Sequence, residues 1–205
     1  MRSRSPSVNR VCDAAVHHFS IHGYDASSLN EIAVMVGIRK ASLYTHFKSK
    51  KELFLAVLED SFIVESAFMK MAFDNSVEKK APGLSYVFSI TDRYEQSVYL
   101  RFLLRTVYLP PKELKETINS NYETFLVLLR NLFSDQLLAI TPKGTLTDEE
   151  IAQYGEAYNG IVESLFVELI YAGRQPMERR RNALWQLLTD SLALHIAEDN
   201  TAPPL

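Results

Sequence analysis

The sequence predicts an all-α chain, and three observations carry that prediction. Apolar residues recur at three- and four-residue spacing along most of its length. Gly and Pro number only seven and eight, and the prolines lie mostly near ends and joints. No segment reads as a strand, and no internal repeat is found. With 47% hydrophobic and 23% charged residues, the 205-residue chain can bury a full core in one or two domains.

The elements follow in order. A first helix is expected from about Val8 to His22, with Val11, Cys12, Ala15 and Phe19 as its apolar stripe. Ser7 is its expected N-cap and Gly23 its stop. After the turn Asp25-Ala26-Ser27, Ser27 or Ser28 caps a second helix whose inner face is Leu29, Ile32, Ala33 and Val36. Glu31, three residues after Ser28, completes a capping box, and Gly37 ends the helix. A short third helix runs from Arg39 or Lys40 to His46. Ser49 with Glu52 forms a second capping box, opening a fourth helix through Leu53, Phe54, Val57, Leu58 and Phe62 toward Met71.

Residues 75–83 break the pattern and are expected to be a linker. Helices then span Leu84–Arg93 and Ser97–Tyr108, and Pro110-Pro111 starts a long helix to about Ala139. Thr141 to Gly144 is a loop. Thr147 with Glu150 forms a third capping box, opening a helix to Tyr171 or Ala172 that Gly173 stops. A last helix covers about Met177 to Ala197.

The segment Ser27–Leu53 is the most informative. Ala33, Gly37 and Leu43 stand where a helix-turn-helix needs small, turning and apolar residues. Lys40, Ser42, Tyr44, Thr45 and His46 surround apolar Leu43 and Phe47. Such a helix anchors one face in a core and offers polar groups to a DNA groove with the other. The charge is divided to match. The first 55 residues carry +4 and the remainder −7, so only the first segment invites a polyanion.

The order of residues here resembles the TetR family of bacterial regulators. The resemblance rests on Ala14-Ala15, Phe19 and Gly23-Tyr24; on Ser27-Ser28, Ile32-Ala33 and Val36-Gly37; and on Leu43-Tyr44, Phe47, Ser49-Lys50 and Leu53. It covers about a quarter of the chain. Ala41 departs from a commoner Gly, and His46 stands where Tyr is also common.

The resemblance implies an amino-terminal three-helix DNA-binding domain over residues 1–54. A helical ligand-binding and dimerisation domain is implied over residues 55–205. Arg39, Lys40, Ser42 and Thr45 are implied to face the major groove. Tyr44, His46, Ser27, Ser28 and Lys50 are implied to touch phosphates. Arg2, Arg4 and Arg10 are candidates for a flexible arm on DNA.

In the remaining chain, the expected partners are operator duplex DNA, a second copy of the chain and a small-molecule effector. Tyr158, Leu165, Leu184, Leu188 and Leu192 are the candidate dimer contacts. Tyr86, Tyr94, Phe102, Tyr122, Phe125, Phe166 and Glu123 are the candidate effector contacts. Asp92, Glu95 and Glu123 lie among the aromatics, so an aromatic or cationic effector is expected if one of them is buried.

The expected function is a ligand-released repressor on a pseudo-palindromic operator. An activator, a regulator controlled by a protein partner, and an adaptor without DNA binding are the alternatives. No Gly-rich phosphate loop, nucleophile motif or metal-ligand spacing suggests an enzyme. No cofactor or metal is expected, and His17, His18 and His22 read as solvated helix residues. Cys12 reads as core packing, and its solitude suits a reducing cytoplasm. No run approaches the roughly 18 apolar residues of a membrane span.

Overall fold

The computed structural model describes residues 4–74 and 81–199. All regular structure in these residues is helical. Helices α1 (Pro6–His22), α2 (Leu29–Val36), α3 (Lys40–Tyr44) and α4 (Lys50–Asp74) come first. Then follow α5 (Leu84–Gln96), α6 (Val98–Tyr108), a 3₁₀ turn (Lys112–Leu114) and α7 (Lys115–Ile140). Helices α8 (Asp148–Tyr171) and α9 (Arg174–Asp199) follow.

The helix ends show which local signals act. Helix α1 starts earlier than the apolar stripe suggests, because Pro6 occupies its first turn, where a missing N–H costs nothing. Its N-cap is Ser5, not Ser7, and the cap makes no side-chain bond to the backbone. Ser28 caps α2, but its hydroxyl accepts from Asn30 N. The Ser28–Glu31 box is not made, and Glu31 turns instead to His18. Glu52 N donates to Ser49 Oγ at 3.1 Å, while the Glu52 carboxylate reaches past Ser49 to Lys48 N at 2.6 Å. The third box forms fully, with Thr147 and Glu150 each accepting from the other's backbone N–H. Helix α9 begins three residues before Met177, again because Pro176 falls in a first turn.

The chain forms two compact units. One comprises the residues up to Ala67 with Arg93–Glu123, and the other Phe68–Asp92 with the residues from Thr124 onward. The boundary falls within α4, α5 and α7.

In the first unit α1 packs on α6 and α2, and α2 on α3. Its core includes Val11, Cys12, Ala15, Phe19, Ile32, Leu43, Leu53 and Phe54 together with Leu103 and Ile118. Phe102 belongs to this same core. It is fully buried, 5.2 Å from Phe54 and 6.1 Å from Phe19 between ring centroids. Its expected role as an effector contact is therefore replaced by a packing role. Burial also pushes the Cys12 thiol up to about 11, as befits an unreactive core cysteine.

Two carboxylates of α4 are buried in this unit, and each has its arginine. Glu65 accepts from Arg93 Nη2 at 2.8 Å, from Arg93 Nε at 3.0 Å and from Ser97 Oγ at 2.7 Å. Asp60 accepts from Arg4. Arg4 thus ties the amino-terminal segment to α4 and is not the free arm residue the sequence suggested. Arg10 is exposed, and Arg2 lies outside the described residues.

In the second unit α8 packs on α9. Tyr158 stacks on Phe133 at 4.3 Å and donates its hydroxyl to Gly83 O at 2.8 Å. Gly83 N donates to Gln136, whose amide in turn donates to Phe73 O. Gly83 has φ +75°, and a Cβ there would lie 2.4 Å from the Tyr158 ring. Only glycine fits that turn. Of the expected linker, residues 75–80 lie outside the described residues, and 81–83 form this anchored turn.

Truncating Phe102 to Ala should destabilise the chain by about 3–5 kcal/mol in urea unfolding, as for other large buried aromatics. A loss below about 1 kcal/mol, less than that of most core truncations, would show that Phe102 is not a core residue.

Candidate nucleic-acid interface

Helices α2 and α3 meet at Gly37, whose φ of 73° and ψ of 30° are left-handed. The turn is closed by Gly37 N to Val34 O and Ile38 N to Ala33 O, both at 3.0 Å. Helix α3 is only five residues long and is held by its inner side. Leu43 is fully buried, and Phe47, just beyond the helix, is also buried. With those two positions fixed inward, Arg39, Lys40, Ser42, Tyr44, Thr45 and His46 are all exposed. The sequence-predicted surface is therefore assembled as one face. Lys40 Nζ stands 5.9 Å from the Tyr44 ring centroid, and Thr45 Oγ1 donates to Ser42 O. Arg39 and Lys40 each add a positive charge, and the two hydroxyls and the phenol add hydrogen-bonding groups. That set can read base edges or grip phosphates in a groove.

Three other candidates are placed differently. Ser28 is half-buried, and its hydroxyl is committed to the α2 cap. Ser27 is buried, and its hydroxyl donates to Gly23 O at 2.5 Å, so its side chain faces the interior and not a phosphate. Lys50 is half-buried, and its ammonium donates to Tyr24 O at 2.7 Å and to Asp25 O and Ser27 O at 3.2 Å. It also lies 4.4 Å from the Tyr24 ring centroid. All three of its donors are used, so Lys50 clasps the α1–α2 turn instead of reaching for DNA.

Sequence reasoning missed two neighbours of this turn. The Tyr24 hydroxyl donates to Glu113 in the 3₁₀ turn at 2.6 Å. Burial, with Glu113 beside it, pushes the phenol up to about 12, so it stays a donor at ordinary pH. His18 is buried, contrary to the expectation of a solvated residue. Its Nε2 is 3.2 Å from Glu31 on α2, and its ring is 4.5 Å from that of His22. Burial holds His18 below its ordinary value of 6.5, His22 adds to this, and Glu31 only partly offsets it. Among the described residues no three His, Cys, Asp or Glu side chains group to hold a metal ion.

The effector candidates are divided between the units. Tyr94, Phe102, Tyr122 and Glu123 belong to the first, and Tyr86, Phe125 and Phe166 to the second. Asp92, Glu95 and Glu123 are all exposed, so none supplies the buried counter-charge that a cationic effector requires. Of the dimer candidates, Tyr158 and Leu165 are fully buried inside their own unit. Leu184 and Leu188 line an open groove of about 720 Å³ between α8 and α9, and Leu192 is buried. Leu187 in the groove wall is 67% exposed, and Leu194 is 65% exposed. Among the described residues no helix is long and apolar enough to cross a membrane.

Residues 11–57 match the family model for bacterial regulatory proteins of the tetR family. Over these residues the chain is similar to the TetR family. The biofilm operon icaADBC HTH-type negative transcriptional regulator IcaR of Staphylococcus epidermidis is 26% identical over 135 residues, 63% of this chain and 66% of the relative. Its Staphylococcus aureus counterpart is 48% identical over 46 residues, 22% of this chain and 25% of the relative. The chain thus spans 66% and 25% of the lengths of these two relatives. The fold extends further. The fatty acid degradation regulator FadR from Bacillus halodurans superimposes with a TM-score of 0.70 over 92% of this chain and 97% of its own, at 16% identity.

Lys50 and Lys40 should separate cleanly on mutation. Lys50→Met should lower the melting temperature and leave the salt dependence of DNA binding intact. Lys40→Ala should leave melting unchanged and weaken binding, with the salt slope falling by about one if it meets a phosphate. The reverse pattern would exchange their roles. His18 makes stability pH-dependent. Its depressed folded value contributes stability that is fully present above 6.5 and lost as the pH falls below it. Thermal melts from pH 8 to 5 should show this fall, and His18→Gln should flatten it. An unchanged profile in the variant would place the titration elsewhere.

Proposed function

We propose that the chain is a transcriptional repressor that binds operator duplex DNA as a homodimer and is released by a small hydrophobic effector. The exposed face of α3 carries this reading. Six polar or charged side chains stand together over a buried Leu43 and Phe47, in a segment with a net charge of +4 over residues 1–55. Arg39, Lys40, Ser42 and Thr45 would meet base edges, and Tyr44 and His46 phosphates. That the named staphylococcal relatives are negative regulators supports repression over activation.

The division of labour at about residue 54 belongs to the same reading, with the residues beyond it answering the effector and a second copy. The groove between α8 and α9, with exposed Leu187 and Leu194, is the face we assign to the second copy. A two-fold dimer would set two recognition helices about 34 Å apart on successive major grooves. The aromatic interior of the second unit suits a hydrophobic effector, with Asn159 Oδ1 buried there as an acceptor without a hydrogen bond among the described residues. Differential affinity of about 5–150-fold between two spacings would suffice for release.

Selection of genomic fragments by the purified chain, followed by footprinting, tests the reading. A protected pseudo-palindrome, bound by wild type and lost in Leu187→Glu along with the dimer, is the expected result. Indiscriminate binding that vanishes with modest salt would leave only a phosphate term and overturn it.

A further inference from the structure

The five residues Gly23–Ser27, between α1 and α2, are gripped from three sides. From α4 comes Lys50, whose ammonium bonds three carbonyls of the turn. From the 3₁₀ turn comes Glu113, which accepts from Tyr24 at 2.6 Å across 89 residues of sequence. From α6 comes Arg105, whose Nε lies 3.2 Å from where a Cβ on Gly23 would stand. Gly23 has φ +74°, a backbone conformation that favours glycine.

Tyr24 is the common member. Its ring packs edge-on against Phe54 at 4.9 Å and carries the Lys50 ammonium on its face, while its hydroxyl holds Glu113. Cation, ring and carboxylate are thereby arranged in series. The turn delivers the chain to Ser28, which caps α2, and α2 carries α3. The Gly23–Ser27 segment therefore sets where α2 begins, and α3 packs on α2.

We propose that α6 and the 3₁₀ turn control the orientation of the α2–α3 pair through this segment, with Tyr24, Glu113 and Arg105 as positioning residues. The proposal rests on the reading of α3 as the DNA-contacting helix. Helix α6 already packs along α1, so a shift of α6 reaches Gly23 through Arg105 and Tyr24 through Glu113. A partner or effector that moves α6 acts on DNA affinity by this path.

The test uses the full chain with Tyr24→Phe, Glu113→Ala and the double variant. Tyr24→Phe keeps the ring on Phe54 and under Lys50 and removes only the bond to Glu113. Amide hydrogen exchange is read at residues 28–46, with α8 as the internal reference. Affinity is read on the best selected DNA fragment. The expected result is faster exchange at residues 28–46 alone and an affinity loss of about 2- to 30-fold in each single variant, the range of couplings carried by such networks. The double variant should lose no more than the worse single variant, since both act through one bond. Unchanged exchange at residues 28–46 in both single variants overturns the proposal, whatever happens to affinity. Losses that multiply in the double variant also overturn it. If the unsubstituted chain selects no fragment, the reading of α3 fails, and the exchange result still decides whether the segment is coupled to Glu113.

Discussion

The ring of Phe54 lies 5.0 Å from Phe19, 4.9 Å from Tyr24 and 5.2 Å from Phe102, and the first unit depends on this packing. Phe19 comes from α1, Tyr24 from the turn after it, Phe54 from α4 and Phe102 from α6. The near-perpendicular ring pairs suit the quadrupoles of aromatic side chains, and each such pair contributes about 0.5–1.5 kcal/mol beyond its buried area. The larger consequence is geometric. Four separate segments are brought to one point, and α2 and α3, too short to be stable alone, inherit their placement from it.

Helix α3 shows what that rigidity permits. A five-residue helix has little hydrogen-bonding strength of its own, and Leu43 and Phe47 hold it in place. Every remaining side chain from Arg39 to His46 is free to face outward. The polar set is then offered without conformational search, which lowers the entropic cost of binding. The second unit has the opposite surface. It presents a groove between α8 and α9 with Leu187 exposed on its wall. In the sequence, residues 1–55 carry +4 and the remaining residues −7.

Much of this was legible in the residues, and the failures share a cause. Gly23, Gly37 and Gly173 stop helices as expected, because a positive φ is a local demand that the glycine alone can meet. The Thr147–Glu150 box forms because both partners lie within one turn. The Ser28–Glu31 box does not, since His18, thirteen residues away, competes for Glu31. Lys50 read as a phosphate ligand because it stands at a helix start, and nothing local announces three carbonyls more than twenty residues earlier. Phe102 and Tyr158 read as pocket or interface residues because an aromatic stripe does not say which side of its helix is covered. The Asp60–Arg4 and Glu65–Arg93 pairs were invisible for the same reason.

The central claim is that the exposed face of α3 contacts DNA. Amide chemical-shift mapping of the chain on titration with a selected duplex tests it most directly. The account predicts the largest shifts at residues 39–46, smaller ones through α2, and none along α9. Shifts centred on Arg179, Arg180 and Arg181, the other cluster of basic side chains, would contradict it.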